Sequence, residues 1–305
     1  MLVDCLIKFI RRKFWKKKGK NKKKNCTFAD NLKVKSFMSA ERILYVNQEI
    51  TPYLEASYMS IIGRYLPQSI QEKGLEIRTF MPRYGLINER RNQLHEVIRL
   101  SGQNIVINDN DYPLVVKVAS IQSIRMQTYF IDSEDFFQRK FILTDKNGKF
   151  FSDNDERAIF YARGVMETVK NLGWGPNVIH CHGWIACLVP LFAKTLYKDN
   201  PLFSNAKIVY SLYDESFEKN LNRSFGTKLK ACGIPPKEVV NNYKSPGYNV
   251  TMKAAMQYSD AIVISHPNVS QELRDFAAAT GKPLFEHREE QYADDYLDLY
   301  NQLMQ

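Results

Sequence analysis

The sequence predicts a three-layer α/β domain built on a mainly parallel, doubly wound sheet. Three observations carry the prediction. From Arg42 to Ala279, short apolar runs alternate with longer segments of helical spacing, the order that parallel strands and crossover helices produce. Glycines punctuate the long helical segments: Gly74 ends the first, and Gly173 with Gly175-Pro176 ends the second. The apolar run Val178-Ile179 closes in His180-Cys181-His182-Gly183-Trp184. Polar rings therefore stand at the carboxyl end of a strand, where open α/β sheets bind ligands.

The elements follow in order. Arg42 to Asn47 is a short apolar strand. Ser57 to Lys73 places Met59, Ile62, Leu66 and Ile70 on one helical face. Glu76 to Met81 is a strand that runs into Pro82-Arg83-Tyr84-Gly85. Val115 to Ile121 and Gln127 to Ile131 alternate as the two arms of a hairpin. Glu156 to Leu172 is helix, Val178 to His182 strand, Trp184 to Tyr197 helix and Lys207 to Ser211 strand. Lys253 to Tyr258 is helix, Ala261 to Ser265 strand and Ser270 to Ala279 helix; a polar stretch leads to a last helical run from Tyr296 to Met304, free to fold back on the domain. No internal repeat is evident.

The net charge of +10 points first to nucleic acid, but its position argues otherwise. Residues 1–25 hold 11 of the 43 Lys and Arg and one of the 33 acids, Asp4, so 32 bases face 32 acids in the rest. The body offers no net field for a polyanion, and nucleic acid is not expected as a partner. Three readings stand for the basic segment: an extension that is disordered or not part of the mature protein (Met38 precedes a clean start), contact with an anionic membrane surface through residues 1–25, or contact with nucleic acid. No apolar run is long enough to span a bilayer, and the charges follow the apolar residues, the reverse of a signal peptide. Five cysteines (Cys5, Cys26, Cys181, Cys187, Cys232) form no CxxC, which points to reduced cytoplasmic thiols rather than disulfides or zinc. No metal and no cofactor is implied.

The stretch DNDERAIFYARGVMETVKNLGWGPNVIHCHGW, Asp153 to Trp184, resembles the bacterial glycogen/starch synthases, glucosyltransferases that extend α-1,4-glucan from ADP-glucose. That family runs N-D-E-R, helix, W-x-P-D-V-I-H-x-H-D-W. Asn154 to Arg157, Trp174, Pro176, Val178 to His180, His182 and Trp184 fall in step, with Gly183 in place of the Asp. Further markers come in order: Val46 to Pro52 for S-E-x-x-P, Leu66-Pro67 with Gly74 to Arg78 for L-P-x-A-L-x-x-x-G-H-E-V-R, Met81 to Gly85 for L-P-x-Y-G, and Ser259 to Ser265 for A-D-x-V-x-T-V-S.

The resemblance implies the N-terminal Rossmann-like half of a GT-B fold. It divides the chain into a basic extension (1–37), the Rossmann-like domain (38–285) and a C-terminal helix or tail (286–305). His182 matches the family's histidine at the cleft floor and is the candidate catalytic residue. Glu49, Glu55, Trp184, Tyr213 and Asp214 are the candidate substrate-binding residues lining the cleft. His180 is expected to point away from the cleft as a structural histidine, and Trp184 is weighed between stacking on a sugar and packing beneath the cleft. Asp153, Asp155 and Glu156 are expected to cap their helix. His266 stands at a strand end, either at the rim or in the structure.

Two departures shape the functional reading. The family's first loop carries K-T-G-G, whose lysine meets the donor phosphates; here Glu55-Ala56-Ser57-Tyr58 occupy those positions. A carboxylate in place of the ammonium reverses the sign of that contact. Only 40 residues follow Ser265, too few for a second domain of ~150 residues. The expected function is that of a glycogen/starch synthase-like glycosyltransferase, weakly active or inactive as an isolated chain. Its partners would be a glucan or oligosaccharide and a separate protein carrying the C-terminal GT-B domain. The alternative is a non-catalytic, single-domain relative that binds glucan or a protein partner.

Overall fold

The computed structural model describes residues 40–305 except 122, 123, 125, 240, 241 and 291. The basic segment over 1–37 lies outside the described residues. The chain order is β1 (Arg42–Asn47), α1 (Tyr58–Glu72), β2 (Glu76–Pro82), β3 (His95–Glu96), β4 (Asn104–Ile107), β5 (Asn110–Pro113), β6 (Val115–Ile121), β7 (Met126–Asp132), α2 (Asn154–Asn171), β8 (Val178–His182), α3 (Leu188–Lys194), β9 (Lys207–Leu212), α4 (Phe225–Ala231), α5 (Tyr248–Gln257), β10 (Ala261–Ile264), α6 (Gln271–Ala279), β11 (Leu284–Glu286) and α7 (Tyr292–Met304).

Nine strands form one sheet in the order β11-β10-β9-β8-β1-β2-β7-β6-β3. Every pair from β11 to β7 is parallel, and the β6–β7 hairpin and β3 add antiparallel pairs at one edge. From β1 the chain moves to β2 on one side. From β8, beside β1, it moves through β9 and β10 to β11 on the other. The order of winding therefore reverses between β1 and β8, and ligands in such sheets bind outside the carboxyl ends of the strands at that point.

The central strands are buried on both faces, as parallel strands between helices must be: β8 and β10 carry no exposed residue. One face is covered by α2, α3 and α5 over Leu44, Val46, Ile179 and Ile208. The other is covered by α1 and α7 over Ile43, Tyr45, Val178 and Val209. Tyr292, Tyr296 and Tyr300 repeat every four residues, so α7 presents one aromatic stripe to the sheet. Gly63 lets α1 lie against the turn after β1: a Cβ there would stand 2.5 Å from the Glu49 carbonyl oxygen.

Two segments depart from expectation. The helix read over Trp184 to Tyr197 is a 3₁₀ turn (Trp184–Ala186) followed by the short α3, whose end at Thr195 leaves helical geometry (φ −124°, ψ −79°). The helix read over Lys253 to Tyr258 starts earlier, at Tyr248; in its first turn the aliphatic Val250 faces solvent while Tyr248 and Thr251 are buried, which obscures the apolar face in the sequence. Among the described residues, no helix is long and apolar enough to cross a membrane.

Candidate functional site

The carboxyl ends of β1, β8 and β9 meet at the switch point, and the residues that follow them form one hydrogen-bonded cluster. Gln48, just after β1, donates its backbone N–H to the His182 carbonyl at 3.0 Å. Its side-chain amide donates to Glu215 Oε1 at 2.5 Å and lies 3.4 Å from Glu49 Oε1, while its amide oxygen accepts from the Ile185 N–H at 3.4 Å. Glu49 Oε2 accepts from the Ser57 hydroxyl at 2.6 Å. Ser57 also caps α1 in a reciprocal box with Ser60. One amide thus sits between two carboxylates. Burial, with the charge of Glu49 adding to it, raises the Glu215 carboxyl to about 7.

Gly183 explains the missing Asp. Its φ of +82° belongs to the left-handed region, and a Cβ would meet the Gln48 side chain at 2.7 Å and Met59 Sδ at 2.9 Å. The carboxylate that opens the following turn comes from the segment after β9 instead: Glu215 Oε2 accepts the Trp184 N–H at 3.2 Å.

Beneath this cluster the two histidines of β8 are fully buried. His182 Nδ1 lies 2.7 Å from the Tyr213 hydroxyl, while its Nε2 has no partner among the described residues. Burial drives the ring down to about 3, so it is neutral at physiological pH. His180 does not point away from it. Residues two apart on a strand share a face, and the two rings stand 4.0 Å apart. His180 is structural all the same: its Nδ1 is 2.7 Å from the Tyr300 hydroxyl and its Nε2 is 2.8 Å from Ser211 Oγ.

The other candidates separate. Tyr213 is buried against His182, and Trp184 is buried with its ring against Phe217 at 5.8 Å. Asp214 is exposed and accepts from Asn268 Nδ2 at 3.1 Å. His266, half-buried, packs edge-on to Tyr58 at 4.8 Å. Tyr58 also faces His287, at 6.1 Å. Glu55 is exposed on the loop before α1. Asp153 makes no side-chain cap; Arg139 takes it in a bidentate pair instead, at 2.7 and 2.5 Å. Asp155 and Glu156 both bind Lys228, at 2.7 and 2.6 Å, which ties α2 to α4. Sequence reasoning did not link Gln48 with Glu215. The two lie 167 positions apart, and no local pattern links them. Among the described residues no group of His, Cys, Asp and Glu is placed to hold a metal ion, and Cys181, Cys187 and Cys232 are unpaired and buried.

A model of the starch synthase catalytic domain family matches residues 42–285. This chain belongs to that family. The glycogen synthase of Chlorobium limicola is 38% identical over 212 residues, covering 69% of this chain and 42% of that protein. The glycogen synthase of Pelodictyon phaeoclathratiforme is 32% identical over 257 residues, covering 82% and 51%. The catalytic domain of Arabidopsis thaliana starch synthase IV, solved with ADP and acarbose, has the same fold, with a TM-score of 0.61 at 17% identity over 87% of this chain and 50% of that one. The chain is a glycogen/starch synthase-like protein of GT-B type that spans about half the length of these relatives or less.

Proposed function

We propose that this chain binds an α-glucan at the carboxyl edge of its sheet and, by itself, transfers glucose from a sugar nucleotide weakly or not at all. The observation that carries this reading is the acidic edge at the switch point. Glu55 stands exposed where the family's phosphate lysine belongs, and Glu49 and Glu215 flank Gln48 behind it. Carboxylates accept hydrogen bonds from sugar hydroxyls and repel a diphosphate. Tyr58, packed between His266 and His287, fills the position of the family's second glycine. The starch synthase IV neighbour was solved with acarbose, an oligosaccharide analogue, which supports the ligand class. His182 is the candidate catalytic residue should a partner protein supply a facing domain. Glu49, Glu55, Trp184, Tyr213 and Asp214 form or support the cleft. The buried free cysteines suit a reducing compartment, and we place the protein in cytoplasmic glycogen metabolism.

Calorimetry on the full chain tests this reading. Maltohexaose should bind, and ADP-glucose should bind no better than millimolar. Micromolar ADP-glucose binding, or glucan elongation by the chain alone, overturns it.

A further inference from the structure

Two residues beyond Glu215, Phe217 lies at the centre of a four-ring cluster. Its ring packs nearly perpendicular to Trp184 (5.8 Å, 77°) and to Tyr248 (5.4 Å, 86°), and tilted against Phe150 (5.3 Å, 42°). Trp184 and Tyr248 are buried; Phe150 and Phe217 are half-buried. The cluster therefore has a dry floor, which fixes the orientation of Phe217, and an apolar rim open to water. These rings come from four distant stretches: the loop before α2, the segment after β8, the segment after β9, and the start of α5.

Polar groups adjoin the rings. The Tyr248 hydroxyl is buried and has no hydrogen-bond partner among the described residues. It lies within the field of the Glu215 and Asp214 carboxylates, which together with burial hold its proton on. It is therefore a donor without an acceptor. Glu215 spends one bond on each oxygen, to Gln48 and to the Trp184 N–H, and each oxygen keeps a free lone pair. A fixed aromatic face beside unspent donor and acceptor capacity matches a pyranose, whose C–H face is apolar and whose edge carries hydroxyls.

We propose that Phe150, Phe217, Tyr248 and Glu215 form a subsite for one glucose unit of an α-glucan chain. The sugar's C–H face lies on Phe217 and Phe150. One of its hydroxyls accepts from Tyr248, and another donates to Glu215. This subsite rests on the glucan-binding reading above and extends it to side chains outside the family motifs.

Calorimetry of maltohexaose binding to the full chain and three variants tests it. Phe217→Ala should weaken binding tenfold or more, and Phe217→Tyr should stay within about threefold of wild type. Tyr248→Phe deletes a buried hydroxyl with no partner among the described residues. It should weaken binding severalfold while leaving the melting temperature unchanged or higher, a pairing of signs that a purely structural tyrosine does not give. Should Phe217→Ala fail to fold, Tyr248→Phe and Phe217→Tyr decide the matter. If the wild type binds maltohexaose and Tyr248→Phe binds it equally well, the subsite is wrong and the glucan reading survives. If the wild type binds no α-glucan, the glucan reading fails and the subsite with it.

Discussion

The hydroxyl of Tyr300 lies 2.7 Å from His180 Nδ1 and 3.1 Å from the hydroxyl of Tyr45. A residue five places from the C-terminus is thereby bonded into the two strands at the centre of the sheet. With Tyr296 and Leu299 it completes the apolar layer over Ile43, Val178 and Val209. Tyr300→Phe keeps the ring and strands the imidazole nitrogen in a dry site. The expected cost is about 1–3 kcal/mol, read as a lower urea midpoint with an unchanged slope.

The opposite end of the chain should behave differently. Among the described residues the core is assembled from Ile43 onward. Residues 38–305 should therefore melt in one cooperative transition within a few degrees of the full chain. A broad melt, or a large loss of stability, would show that residues 1–37 dock on the body.

Acid should destabilise the fold through its buried imidazoles. Burial lowers His182 from 6.5 to about 3 and His287 from 6.5 to about 4, and holds His180 well below its usual range. Each stays neutral in the folded protein at pH values where the unfolded chain takes a proton. The stability they carry is complete above about pH 6.5 and drains as pH falls toward about 4 and then 3. Glu215 acts with the opposite sign. Its folded carboxyl holds its proton up to about 7 against 4.5, so its contribution is present below pH 4.5 and is lost as pH rises through about 7. The three imidazoles, together with Glu89 and Glu167, whose ion pairs and hydrogen bonds hold their carboxyls below the ordinary value, act against the raised carboxyls of Glu215, Asp132 and Asp155, and the melting temperature should fall from pH 6.5 to 4. Glu215→Gln should melt higher than wild type at pH 8, with the gap closing by pH 4.5. An unchanged gap across that range would exclude Glu215 as the titrating group.

Much of this was legible in the sequence, and the misses have physical causes. The strands β1, β2, β6, β7, β8, β9 and β10 are apolar runs that must be buried, and their alternation with helices carried the parallel sheet. β11 is three residues set in a polar stretch; its neighbour β10, not its own composition, makes it a strand. His180 was misjudged against the strand's own period of two, which puts it beside His182. The Gln48–Glu215 contact and the Glu215 cap on Trp184 arise only when β1, β8 and β9 are brought side by side.

Restoring the family's Asp before the tryptophan should harm this chain. Gly183→Asp forces a side chain into a left-handed backbone position already filled by Gln48 and Met59. It also adds a charge beside Glu215. Backbone strain and overpacking together should cost about 2–4 kcal/mol. A variant as stable as wild type in a urea titration would show that the turn relaxes to admit the side chain.

The donor side yields the sharpest expectation. A diphosphate is held by several charge-assisted hydrogen bonds, each worth about 1.5–3 kcal/mol, and every 1.4 kcal/mol lost is about tenfold in affinity. Glu55 replaces the cation that would supply one of them, and Tyr58 closes the space above with His266 and His287. Glu55→Lys combined with Ser57→Gly and Tyr58→Gly should raise ADP-glucose affinity only modestly. The same change removes the α1 cap and the Ser57–Glu49 bond, at about 1 kcal/mol for the cap. A gain of a hundredfold or more would show that these side chains alone had closed the donor site. Whatever glucosyl transfer the chain shows, His182→Ala should abolish most of it, since His182 Nε2 is a buried ring nitrogen without a hydrogen-bond partner among the described residues.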